Sequence, residues 1–101
     1  MIAPMLNPMP AERLTDGKER PYFLWDNDLT LAQFRALLLD PDDEVRAYWL
    51  GTLLRQARPD DALSLSSLTA IRRDWARAEK YVGKERAFWT WYLGEMAKRG
   101  K

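Results

Sequence analysis

Asp40, Asp42, Asp43 and Glu44 are four acidic groups within five positions, and a hard cation is the first chemistry such a run suggests. The spacing denies it. With Asp40 as the first position of a calcium loop, Val45 falls where the sharp turn needs glycine and Gly51 where a bidentate glutamate is needed, and starting at Asp26 puts Leu31 and Leu37 there instead. The run is better explained as a helix start. Asp40 is expected to cap the helix, Pro41 to occupy its first position, and the acids that follow to sit beside the positive end of the helix dipole.

Histidine and cysteine are both absent, which removes the commonest general base, the thiolate nucleophile and the usual soft metal ligands together. Ser64, Ser66 and Ser67 have no base partner in the sequence, and the glycines at 17, 51, 83, 94 and 100 are too dispersed for a phosphate-binding loop. The expectation is a chain without a catalytic site, metal or cofactor.

Two sets of residues remain that could bind without doing chemistry. Arg72, Arg73, Arg77, Lys80, Lys84 and Arg86 form a basic run, in which Arg73, Arg77 and Lys80 share a helical face and Arg72 lies about 100° away. A nucleic-acid contact through Arg72, Arg73, Arg77 and Lys80 is one reading, although Asp74, Glu79 and Glu85 interrupt the field. The second set is aromatic. Tyr22, Phe23 and Trp25 lie within four non-periodic positions, and Phe88, Trp89, Trp91, Tyr92, Leu93 and Met96 cover an arc of about 200° on one helix, roughly twice what a surface helix needs for its core. Either the two sets cover each other or a partner covers them, and aromatic residues are enriched among the contacts that dominate protein interfaces. Tyr22, Phe23, Trp25, Phe88, Trp89, Trp91 and Tyr92 are accordingly the candidate partner-binding residues.

The elements that position these groups read as helices. Pro4, Pro8, Pro10 and Gly17 leave no periodicity over 1–20, so a flexible extended arm is expected there, followed by a single helical domain over 21–101. Thr30 with Gln33 has capping-box spacing before Leu31, Phe34 and Leu38, predicting a short helix over 31–39. The next helix carries Val45, Tyr48, Trp49, Thr52, Leu53 and Gln56 along one side and ends near Ala57. Asp60 and Asp61 open a short helical turn through Leu65. Ser66 or Ser67 then caps a helix bearing Leu68, Ile71, Trp75 and Ala78 and ending at Gly83, and a last helix runs from about Lys84 to Arg99. Sustained alternation and β-branched runs are missing, so the expected fold is all-α, a small bundle of about four helices. The stretch Leu37 to Arg46 resembles the turn and second helix of a HEAT repeat, without a second copy at a period of about forty residues, so it is read as a HEAT-like helical hairpin only.

With 47% hydrophobic and 31% charged residues, the 101-residue chain has the composition of a globular domain rather than a disordered one. No apolar run approaches a membrane span and no secretory leader is visible, which makes the cytoplasm the expected location. The net charge of +1 hides an asymmetry: residues 1–50 hold five basic and nine acidic groups, and residues 51–101 eleven and six. Such a polarised surface can steer a charged partner.

The segment Arg20-Pro-Tyr-Phe-Leu-Trp-Asp-Asn-Asp-Leu-Thr30, with Ser67-Leu-Thr-Ala-Ile-Arg-Arg73 and Phe88-Trp-Thr-Trp91, resembles a group of small bacterial helical proteins encoded beside nucleotidyltransferase toxins of the abortive-infection type. The resemblance spans residues 20–93 loosely. It implies an antitoxin-like, non-enzymatic partner protein in a toxin–antitoxin system, with the toxin supplying the nucleotide and magnesium chemistry. Homo-oligomers are compatible with the sequence.

Overall fold

The computed structural model describes residues 14–15, 19–24 and 28–99. Five α-helices lie among them: α1 Leu31–Leu37, α2 Asp43–Gln56, α3 Pro59–Leu65, α4 Leu68–Ala78 and α5 Arg86–Arg99, with 3-10 turns at Tyr22–Leu24, Glu79–Tyr81 and Gly83–Glu85. The described residues contain no strand, only an isolated antiparallel bridge between Thr15 and Pro21. Most of the arm expected over 1–20 lies outside the described residues. Of its described part, Leu14 packs against the core and the Glu19 carbonyl accepts the Leu31 amide at 2.9 Å.

Local chemistry sets the helix starts. Thr30 Oγ1 accepts the Gln33 amide at 3.1 Å while Gln33 Oε1 accepts the Thr30 amide at 2.9 Å, so the capping box closes both ways and satisfies two donors that α1 cannot use internally. α2 is capped by Asp42 and not, as expected, by Asp40: Asp42 Oδ1 accepts the Glu44 and Val45 amides at 2.8 and 3.2 Å. Asp40 Oδ1 instead accepts the Asp42 amide at 2.8 Å, and its carbonyl takes a bond from Arg46 Nη1 at 2.9 Å, which holds Asp40 and Pro41 in the bend before the helix. Ser67 caps α4 through the Ala70 amide at 3.0 Å. Pro59 at the first position and Asp60 and Asp61 in the first turn extend the expected short turn into the full helix α3, and this makes the count five.

α4 is shorter than its sequence pattern predicts. It ends at Ala78, tightens into the 3-10 turn Glu79–Tyr81, and the chain reverses at Gly83, whose φ of +67° is the left-handed geometry that glycine adopts without steric cost. α5 therefore begins at Arg86 and not at Lys84. The tightening brings the backbone onto α2. A Cβ at Gly51 would stand 2.5 Å from Tyr81 Cβ and 3.0 Å from the Ala78 carbonyl oxygen, so only glycine permits this crossing.

α2 is the axis of the bundle. The sequence predicts an amphipathic helix, yet Leu50, Gly51, Thr52, Leu53 and Leu54 are buried in succession, which covers every side of the helix through its middle turns. Phe34 and Leu38 pack on it with Phe23 and Leu24, Ile71 and Val82 close the α4 side, and Trp89 seals the end, its indole Nε1 donating to the Leu54 carbonyl at 2.9 Å. Leu54 is among the last four residues of α2, whose carbonyls find no partner within the helix, so Trp89 serves at once as core and as C-terminal cap.

Across the α2–α4 interface, Arg46 donates to both oxygens of the buried Asp74 at 2.9 Å, and Arg73 Nη2 approaches the same carboxylate at 3.1 Å. Hydrogen bonds from Arg46 draw the Asp74 carboxyl below the usual carboxylate range, burial works against that, and the bond from Arg73 adds to it.

Candidate partner surface

α5 sets the geometry of the surface. Residues two apart on a helix differ by about 200°, so burying Trp89 forces Trp91 almost to the opposite side. Trp89 is 1% exposed and Trp91 58%. Between them, Phe88 and Tyr92 are half-buried and stack on one another, ring centroids 5.9 Å apart and planes inclined by 21°. Trp91 leans on this pair at 6.1 Å from Phe88 and 6.5 Å from Tyr92. It stands as a ridge between two hollows. One, of about 290 Å³, is walled by Phe88, Trp91, Tyr92 and Met96 with Glu95 and Arg99 at its edge. The other, of about 560 Å³, lies toward the start of α5 between Trp91, Thr90 and the basic residues Lys84 and Arg86. An apolar ridge with a charged border is the anatomy of a small protein-binding patch.

The remaining aromatic candidates are placed differently. Phe23 is 1% exposed, edge-on to Tyr22 at 5.3 Å and to Phe34 at 5.4 Å. Its carbonyl accepts the Gln56 side-chain amide. Tyr22 is half-buried and its hydroxyl donates to Asp61 Oδ2 at 2.6 Å while accepting the Arg58 amide at 2.9 Å. Burial and the hydrogen bond to Asp61 push the Tyr22 phenol up to about 12. Of the seven aromatic candidates, Phe23 and Trp89 lie in the core and half-buried Tyr22 ties the first 3-10 turn to α3, each meeting partners inside the fold. Trp25 lies outside the described residues. Among the described residues, no ring contact joins Tyr22 and Phe23 to the rings of α5, so the two aromatic sets do not cover each other there.

The basic run does not stand as an open field. Arg77 meets Glu44 Oε2 at 3.5 Å and Asp43 Oδ2 at 3.8 Å, Lys80 meets Glu44 Oε1 at 3.5 Å, and Arg73 is bound to Asp74. Lys80 also lies 5.2 Å above the Tyr81 ring. The acidic first turn of α2 faces the basic side of α4, so much of the charge asymmetry between the two halves of the sequence is spent inside the molecule. Only Arg72 of these four makes no such pair among the described residues. Sequence reasoning missed the exposure of Leu39, 80% accessible, although three consecutive leucines at 37–39 cannot all face inward from the end of one helix.

Among the described residues no group of three or more acidic side chains is placed to hold a metal ion, and no helix is long and apolar enough to cross a membrane. Compared with models of protein families, with curated proteins and with solved structures, the chain matches none.

Proposed function

We propose that the chain is a non-enzymatic interaction protein that binds another protein through the Trp91 ridge, and that this partner is a nucleotidyltransferase-type toxin which the chain restrains as an antitoxin in the bacterial cytoplasm. The observation that carries the first part is Trp91 itself. A tryptophan left 58% accessible beside two hollows, on a chain that buries Trp89 two positions away, is surface the fold does not use for itself. The toxin as partner rests on the resemblance of residues 20–93 alone. The α1–α2 pair is read as a HEAT-like hairpin that supplies the scaffold. A nucleic-acid-binding role for Arg72, Arg73, Arg77 and Lys80 has less behind it, since three of those four already hold carboxylates of this chain.

The test is co-expression of the chain with the protein encoded beside it. Wild-type chain is expected to co-purify with a nucleotidyltransferase and to relieve its toxicity, and Trp91→Ala to lose both while remaining folded. A toxin whose effect persists in the presence of wild-type chain, with no association between the two, would sink the antitoxin reading. Retention of the complex by Trp91→Ala would sink the assignment of the surface. A complex that dissociates steeply with rising salt would return the basic residues to first place, because burial of an aromatic ridge is almost insensitive to salt.

A further inference from the structure

A further concavity lies away from α5, where the end of α1, the middle of α2 and the α3–α4 junction meet around a cleft of about 420 Å³. That volume lies within the range of small-molecule sites. One wall is apolar, built by Leu38, Leu50 and Leu65, with Leu39 at the rim, where it is 80% accessible. The floor is the Arg46–Asp74 pair, in which both carboxylate oxygens are already held at 2.9 Å, so the two charges cancel locally. Two further arginines remain. Arg35 comes from α1 and Arg73 from α4, and the helices owe neither residue to the core, since both side chains are exposed. Arg35 forms no ion pair among the described residues. Arg73 touches only an Asp74 oxygen that Arg46 already holds, through bonds of 3.1 and 3.3 Å. The cleft therefore presents two exposed guanidinium groups, Arg35 without an ion pair among the described residues and Arg73 sharing the Asp74 carboxylate with Arg46, in one lining with leucines of which Leu39 is exposed. Planar guanidinium groups bind carboxylates in paired hydrogen bonds.

We infer that this cleft is a binding site for a carboxylate that carries a short apolar group, the carboxylate held by Arg35 and Arg73 and the apolar group laid against Leu39 and Leu65. Two sources share this chemistry: a free short-chain acid and the C-terminal residue of a peptide. The site is separate from the Trp91 ridge and does not depend on what binds there.

The experiment follows backbone amides of the isotope-labelled full chain by NMR during titration with octanoate, N-acetyl-leucine and octanol. Saturable shifts are expected at Leu39, Ser66 and Ala70 with at least one of the two acids, while Trp91 stays unmoved. Tighter binding of octanoate assigns the site to a free acid, and tighter binding of N-acetyl-leucine to a peptide end. Octanol is expected to bind at least about tenfold more weakly than the better acid, and R35Q/R73Q to raise that acid's dissociation constant by at least about tenfold. R35Q alone, an exposed change on α1, serves if the double variant has lost its helical circular dichroism. The inference is overturned if neither acid gives saturable shifts below about 10 mM, if octanol binds as tightly as the acids, or if the arginine variants bind unchanged.

Discussion

Alanine at Trp89 and alanine at Trp91 remove the same side chain from one helix two positions apart, and the fold assigns them opposite consequences. A tryptophan carries about 150–250 Å² of surface that burial removes from water. At 1% exposure Trp89 has lost nearly all of it, which at about 25 cal/mol per Å² corresponds to roughly 4–6 kcal/mol, close to the 3–5 kcal/mol seen when large aromatic side chains are cut from cores. Loss of the indole donor also leaves the Leu54 carbonyl without its bond, a further ~1 kcal/mol. At 58% exposure Trp91 has less than half its surface covered, an upper limit of roughly 2 kcal/mol, from which the better helix propensity of alanine subtracts about 0.5 kcal/mol. Against a total stability of about 5–15 kcal/mol, Trp89→Ala should lower Tm by more than about 15 °C and Trp91→Ala by about 5 °C. Urea and thermal unfolding followed by far-ultraviolet circular dichroism measure both. Equal losses within about 1 kcal/mol, read against typical scatter in additivity, would refute the reasoning, because Trp91 would then be part of the cover of the core and its surface would not be spare.

Two glycines make a matched pair: Gly51→Ala places its methyl 2.5 Å from Tyr81 Cβ and should cost about 1–3 kcal/mol by overpacking, whereas Gly94→Ala meets nothing within 4 Å on an exposed helix and should add about 0.5–1 kcal/mol in the same urea titration. Asp74, held below its ordinary carboxylate range by Arg46, binds fewer protons folded than unfolded at low pH; its contribution is present above the unfolded carboxylate value and is lost as pH falls toward the lower folded one. Asp74→Asn should remove that part of the acid dependence, which acid titration of both proteins by circular dichroism will show. Tyr22 behaves in the opposite sense: with its phenol raised to about 12, its contribution is intact below the unfolded value near 10 and is lost as pH rises through 12. Tyr22→Phe should abolish this alkaline step and cost about 1.5–3 kcal/mol at neutral pH through the lost bond to Asp61, measured by urea unfolding at pH values on either side of the step.

What could be read from residues alone was what neighbouring residues decide among themselves. Thr30 with Gln33 and a serine cap at 66 or 67 need nothing beyond their own turn, and both are present, the cap falling to Ser67 because the Ser66 hydroxyl donates to the Ala62 carbonyl. Asp40 and Asp42 are equally good caps taken locally, and the choice is made by Arg46, which needs the Asp40 carbonyl on one side and Asp74, 28 residues on, at the other. No window of sequence contains that. The same holds for α2, whose apolar positions form a stripe in projection but whose burial on all sides follows from α1, α4 and α5 packing around it. The aromatic surplus of α5 was legible as an arc too wide for one contact. Which edge faces outward was not, because it depends on Trp89 finding the end of α2. Once that single hydrogen bond is fixed, helical geometry determines the rest.

The unsupported side of α5 at Gly94 has a consequence for how occupancy can be observed. The helix spans 14 residues, or roughly 21 Å, and it is held to the body near Trp89, while Ala97, Lys98 and Arg99 are exposed. Amides in its final turns therefore open without disturbing the core and should exchange with deuterium far faster than those of α2. A protein clamped over Trp91 and Met96 would slow that exchange locally and leave the exchange of α2 unchanged, so exchange at the end of the helix is a built-in gauge of whether the ridge is occupied.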